Sequence, residues 1–215
     1  MSGSKGRELR DSWNGPNRIP DVAMRLPDTA YTTRPWRIHE IANDFRLEDV
    51  WVLPTPGDAD DFPRLVRQLT EGTGAHRSRI VRILFGLRWR LGRLFGWDRP
   101  DFGVGTGVPT VRDRLPADLR SAPPGPDLHT IPFTSVYLTD NEWASESANR
   151  TVHAMLHIGW VPDERTGRYH GQMAMLVKPN GVLGAAYLAA IRPFRRLIVW
   201  PSMIRMIGRD WQRSP

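Results

Sequence analysis

Every second residue is apolar between positions 151 and 161, which is the period of a β-strand. The apolar positions are Val152, Ala154, Leu156, Ile158 and Trp160. A turn rich in proline and glycine, residues 162–167, leads into a second alternation in residues 168–178. The pattern predicts an antiparallel hairpin. Leu156 then faces Met173 on an apolar face, and His157 faces Gln172 on a mixed face.

Helical periodicity follows the hairpin and predicts a long C-terminal helix over residues 181–211. We expect Pro193 and Pro201 to bend or break it, because proline lacks a backbone donor. Its apolar stripe is predicted to lie on the sheet, with the arginines pointing outward. The stripe comprises Leu183, Tyr187, Ile191, Phe194, Ile198 and Met203, and the arginines are Arg192, Arg195, Arg196, Arg205 and Arg209.

The remaining patterns predict shorter elements. Residues 131–139 indicate a strand, and residues 142–148 a second strand or an irregular return. Residues 36–41 are predicted as a short strand, and residues 45–69 as one or two short helices. The order of elements predicts an α+β fold, with an antiparallel sheet and a long C-terminal helix.

Two segments differ in composition. Residues 1–34 are rich in Gly, Pro, Asp and Arg without a sustained period, which predicts a flexible or extended N-terminal segment. Residues 35–215 are long enough to bury a sizeable core, so we expect a single α+β domain.

The sequence also resembles a known family. DNEWASESANRTVHAMLHIGWV and GQMAMLVKPNGVLGAAYLAAIRPFRRLIVWPSMIR resemble the bacterial family called domain of unknown function 2867, over about residues 35–211. The element order resembles the helix-grip fold of the START and Bet v 1 superfamily. That resemblance implies a cavity between the curved sheet and the last helix. The family has no established activity or catalytic residues to transfer.

Two histidines four residues apart raise the question of a metal site. On a helix, His153 and His157 would be spaced as in HExxH, but Ala154 stands where that motif has glutamate. On a strand they lie about 13 Å apart, too far to share one ion. We therefore predict no metal. The histidines either bond to neighbours or water on a half-exposed sheet face, or form a polar site comprising His153, His157, His170 and Gln172.

Other reactive patterns are weak. The chain has no cysteine, which excludes disulfides and cysteine nucleophiles. Glu142 and Glu146 would be about 13 Å apart on a strand and are interpreted as solvated charges. No serine stands in GxSxG, and residues 103–109 lack GxGxxG spacing. We predict no cofactor, and an enzyme ranks behind the binding functions.

Two functions fit the sequence. The first is a module that binds an apolar or amphipathic small molecule in a cavity under the last helix, lined by Trp160, Tyr169, Met173, Met175 and Tyr187. The alternative is a peripheral protein whose basic amphipathic helices contact an anionic membrane surface or an acidic partner. Residues 75–100 hold seven basic and one acidic side chain, giving +6, and the predicted contacts are Arg82, Trp89, Arg90 and Arg93. Nucleic acid is not expected, because no recognition motif accompanies the charge.

The apolar runs of the sequence indicate where in the cell the protein is located. The N-terminal residues lack the apolar stretch of a signal peptide, and the longest uncharged run, PNGVLGAAYLAAI, is shorter than the ~20 residues of a spanning helix. The sequence therefore predicts a cytoplasmic protein.

Overall fold

Six antiparallel strands form one sheet in a computed structural model that describes residues 23–71, 103–128, 131–164 and 166–213. The strands are Met24–Arg25 (β1), Arg46–Val52 (β2), Thr134–Leu138 (β3), Glu142–Ala148 (β4), Val152–Pro162 (β5) and Tyr169–Pro179 (β6). Their order across the sheet is β1-β2-β6-β5-β4-β3.

Short helices connect the strands, and a long helix follows them. The α-helices are Thr29–Thr32 (α1), Ile38–Ile41 (α2), Phe62–Glu71 (α3), Ala117–Ser121 (α4), Gly181–Phe194 (α5) and Trp200–Arg213 (α6). A π-helical segment, Arg195–Val199, joins α5 to α6, and single 3₁₀ turns occupy Ala59–Asp61 and Val111–Arg114. The antiparallel sheet and long C-terminal helix confirm the predicted α+β, helix-grip-like fold.

The predicted hairpin is β5 and β6, but its pairing differs by two residues. Leu156 pairs with Met175 rather than Met173, and His157 pairs with Ala174 rather than Gln172. A shift of two residues leaves every side chain on its predicted face, because side chains alternate with period two. The faces were therefore predicted correctly, and the partners were not.

Two early elements were predicted wrongly. Residues 36–41 contain α2 instead of a strand, and residues 46–52 form β2 instead of a helix. β2 lies between β1 and β6, and Val50, Trp51 and Val52 are all buried. A strand covered on both faces has consecutive apolar residues instead of an alternation, so period alone does not identify it.

Both faces of the sheet are covered. On one face Leu156, Met173 and Trp160 pack with residues of α3, α5 and α6 in one apolar cluster. On the other face Met155 and Leu176 pack with residues of the 31–45 and 111–119 segments. The face bearing the two histidines is therefore not half-exposed as predicted, because a third layer covers it.

The side that the C-terminal helix turns to the sheet was predicted only in part. Tyr187, Ile191 and Met203 of the predicted stripe do pack on the sheet, but Leu183 is 75% exposed. Arg195 instead points inward, with only 12% of its side chain exposed. The helix continues through Pro193 and Pro201, and the π-helical segment between them interrupts the regular α-helix.

Candidate functional site

Two carboxylate and histidine pairs lie on the covered face of β4 and β5. His153 Nε2 is 2.8 Å from Glu146 Oε2, and His157 Nε2 is 3.1 Å from Glu142 Oε2. All four residues are at most 3% exposed. We call Glu142, Glu146, His153 and His157 the ladder.

The register of the hairpin creates the ladder. Ala144 pairs with His157, and Ala148 pairs with His153. Glu142 and Glu146 each precede one of these alanines by two residues, so each glutamate is a diagonal neighbour of one histidine. The interpretation of Glu142 and Glu146 as solvated charges was wrong, since β4 lies inside the sheet and its face is covered. The sequence did contain a signal for this pairing. The two glutamates are four residues apart, the two histidines are also four residues apart, and one short turn separates the two segments.

Glu142 accepts hydrogen bonds from three sides. The backbone N–H of Arg37 donates to both carboxylate oxygens, at 2.9 and 3.0 Å, and the Tyr137 hydroxyl donates at 2.9 Å. Burial raises the pKa of Glu142, but hydrogen bonds from His157, Arg37 and Tyr137 outweigh burial and hold it below its ordinary value. Glu142 is therefore a buried anion that ties residue 37 to the sheet.

Glu146 likewise ties the start of the 3₁₀ turn Val111–Arg114 to the sheet. It accepts a hydrogen bond from the Thr110 hydroxyl, and the Val111 N–H lies 3.1 and 3.2 Å from its two oxygens. Burial raises the pKa of Glu146, yet hydrogen bonds from His153, Thr110 and Val111 leave it lowered. The carboxylate thereby fixes the His153 ring from one side.

His157 lies among aromatic rings. The Tyr31 and Trp36 rings are 5.4 and 5.3 Å from its ring, centre to centre. Burial lowers the pKa of His157 more than Glu142 raises it, so the ring is neutral at pH 7 and can donate its Nε2–H to Glu142. Its Nδ1 is buried without a hydrogen-bond partner.

The other two residues of the predicted polar site are on the same face. Gln172 pairs with Gly159 and donates to the Ala30 carbonyl at 3.3 Å, whereas His170 lies further along β6. Burial lowers the pKa of His170. Each histidine of the ladder has its own carboxylate, and the described residues contain no group of three or more metal-ligating side chains.

A cavity of about 270 Å³ opens beside His153. It is lined by Gly107, Val108, Pro109, Arg114, His153, Lys178 and Asn180. Asp44 joins its two cations, because Arg114 Nη1 lies 2.6 Å from one carboxylate oxygen and Lys178 Nζ lies 2.8 Å from the other. The hydrogen bond from Arg114 is the largest influence on Asp44 and, with Lys178, lowers its pKa to about 2.

The residues predicted to line an apolar cavity are on the opposite face. Trp160, Met173 and Met175 are buried in the cluster under the C-terminal helix, and Tyr169 and Tyr187 pack against it. None of the five lines the cavity beside His153. The predicted membrane contacts Arg82, Trp89, Arg90 and Arg93 lie outside the described residues.

These features define an α+β protein of helix-grip-like architecture with a buried carboxylate and histidine ladder beside a small, partly cationic cavity. The chain belongs to the family described as "Protein of unknown function (DUF2867)", which matches residues 41–202. No curated protein and no solved structure matches it.

Proposed function

We propose that this protein binds a small anionic molecule in the cavity beside His153. The observation that supports the proposal is the combination, around one cavity, of two cationic side chains and a histidine fixed by a buried carboxylate. Pockets for small molecules combine a shaped cavity with a few convergent polar groups in this way. The volume of about 270 Å³ fits a compact metabolite.

The charge of the cavity favours an anion. Arg114 and Lys178 contribute two positive charges, and Asp44 offsets one of them. A guanidinium has five N–H donors and an ammonium has three, so each cation keeps donors beyond those directed at Asp44. A carboxylate or phosphate group is the ligand that such donors recognise best.

His153 supplies an orienting contact. In the tautomer that donates Nε2–H to Glu146, Nδ1 is an acceptor, so it fits a hydroxyl or another donor of the ligand while the cations hold the anionic group. A carboxylate behind a histidine fixes its ring orientation and tautomer, so the ligand meets a preformed group. This arrangement supports binding.

Binding of an apolar molecule under the C-terminal helix remains a prediction from the sequence, as does the cytoplasmic location. The anionic ligand is preferred because the cavity beside His153, on the other face of the sheet, brings together Arg114, Lys178 and His153.

A thermal-shift screen of the full chain with inorganic phosphate, acetate, succinate and citrate tests the proposal. At one hundred times Kd, a ligand stabilises the folded state by about 2.7 kcal/mol, which raises Tm by roughly 5 to 11 °C at this chain length. Val108→Trp, which fills the cavity, should abolish the shift, whereas Thr106→Trp in the same loop should retain it. No shift with any compound, or a shift that survives Val108→Trp, contradicts the proposal.

A further inference from the structure

The outer face of α5 and of the π-helical segment that follows it is apolar. Five of the six large hydrophobic side chains exposed among the described residues lie between positions 182 and 198. They are Val182, Leu183, Phe194, Leu197 and Ile198, with exposed fractions from 36% to 86%, and exposed alanines lie between them. We call this surface the α5 face. A helix on the surface of a globular protein normally presents polar residues to water, so this face has the opposite polarity.

Two buried carboxylates explain why the arginines are on the inner side. Asp49 on β2 is fully buried and accepts from Arg195 at 2.9 Å and from Arg196 at 2.6 Å. Glu48, beside it at a bulge, accepts from Arg192 at 2.9 Å. Buried carboxylates need such partners, so these arginines point toward the sheet, where Tyr187 and Ile191 also pack, and Leu197 faces outward.

The arginines outnumber the carboxylates. Arg25 and Arg46 also contact the pair, and Asp28 pairs with Arg25 at 3.5 Å, so five guanidinium groups meet three carboxylates and the cluster carries a net charge of +2. Arg192 and Arg196 remain about one third exposed, with 37% and 31% of their side chains accessible. An excess of positive charge therefore reaches solvent along one margin of the α5 face.

We propose that the α5 face docks the protein on an anionic lipid bilayer. An interfacial helix of this kind lies in the plane of the membrane, with apolar side chains among the acyl chains and cations near the headgroups. Excess arginines at the margin then contact anionic lipids. No helix among the described residues has the length and hydropathy to cross a bilayer, so the contact is peripheral.

Charge complementarity favours a lipid surface over a second copy of the chain and over residues 75–100. A second copy would bring its own +2 cluster against the first, which is unfavourable for like charges. Residues 75–100 hold seven basic and one acidic side chain, so this segment would also add positive charge beside the arginines. An anionic bilayer instead neutralises the excess.

Cosedimentation of the full chain with vesicles tests this proposal. Vesicles of phosphatidylcholine alone are compared with vesicles containing 30% phosphatidylglycerol, at low and high salt. We expect binding to the anionic vesicles, weakened by salt because screening shortens the reach of the charges. Leu197→Glu should reduce the partition coefficient about tenfold or more, since a 76% exposed leucine is replaced without disturbing the core.

Gln212→Glu is the matched control, because it makes the same change of charge at an exposed position on α6. It should change the partition coefficient by less than about threefold. Absence of binding to anionic vesicles at low salt, or an equal loss in Gln212→Glu and Leu197→Glu, would overturn the proposal. A wild-type dimer in sedimentation velocity that Leu197→Glu dissociates would assign the face to a second copy and would also overturn it.

Discussion

Replacing Glu142 by glutamine should destabilise the protein by about 3 to 5 kcal/mol at pH 7. The carboxylate accepts from the Arg37 N–H, the Tyr137 hydroxyl and His157, and it is 3% exposed. Glutamine keeps the shape but loses the charge, and its NH₂ group would face one of these donors. Each hydrogen bond to a buried charge contributes about 1.5 to 3 kcal/mol, so losing two of them costs about 3 to 6 kcal/mol, which covers the expected range.

The pH dependence gives a second test of the same change. The pKa of Glu142 is below its ordinary value of 4.5 in the folded protein. Its contribution to stability is therefore present above pH 4.5 and is lost as pH falls through the folded pKa. The glutamine variant should lack this part of the acid sensitivity.

Urea denaturation at pH 7 and at pH 4 measures both effects. Glu40→Gln is the control, because Glu40 is 53% exposed in its pair with Arg37 and should contribute at most about 1 kcal/mol. A loss below 1 kcal/mol for Glu142→Gln, together with unchanged acid sensitivity, would refute the interpretation of the ladder as a buried ionic structure.

Three further outcomes are expected. Asp49→Asn should cost about 3 to 5 kcal/mol in urea denaturation, because it removes the buried charge to which Arg195 and Arg196 both donate and leaves Arg195 only Glu48; a loss under 1 kcal/mol would contradict the role of Asp49. Gly184→Ala should lower Tm, since an added Cβ would lie 2.0 Å from the Thr151 carbonyl oxygen; an unchanged Tm would show that this close approach is absent. Because burial lowers the pKa of His157, stability should fall as pH drops below 6.5, and His157→Gln should lessen that fall.

Local periodicity in the sequence predicted the amphipathic elements of the fold. The alternation in residues 152–160 and the helical spacing after residue 181 identified β5 and the C-terminal helix. The period also assigned the correct faces to β5 and β6, although the pairing was off by two residues. β2 was missed because its buried residues are consecutive, and consecutive apolar residues carry no strand period.

The candidate site depended on contacts between distant residues. Glu48 lies 144 residues before Arg192, so the sequence pattern of the helix could not show that its arginines point inward. The cover over the ladder likewise comes from residues near Trp36 and Val111, which no local pattern connects to β5. The polar residues on that face were predicted, but their burial and their carboxylate partners were not.

Nitrogen chemical shifts of the two ladder histidines test the central claim most directly. Long-range ¹H–¹⁵N spectra are recorded with and without the anion that gives the largest thermal shift. His153 lines the cavity, so its Nδ1 shift should move on titration, while fully buried His157 should stay unchanged as an internal control. Saturable movement of His153 alone is the predicted result. An unchanged His153 spectrum at saturating anion, or equal movement of both histidines, would contradict a binding site beside His153.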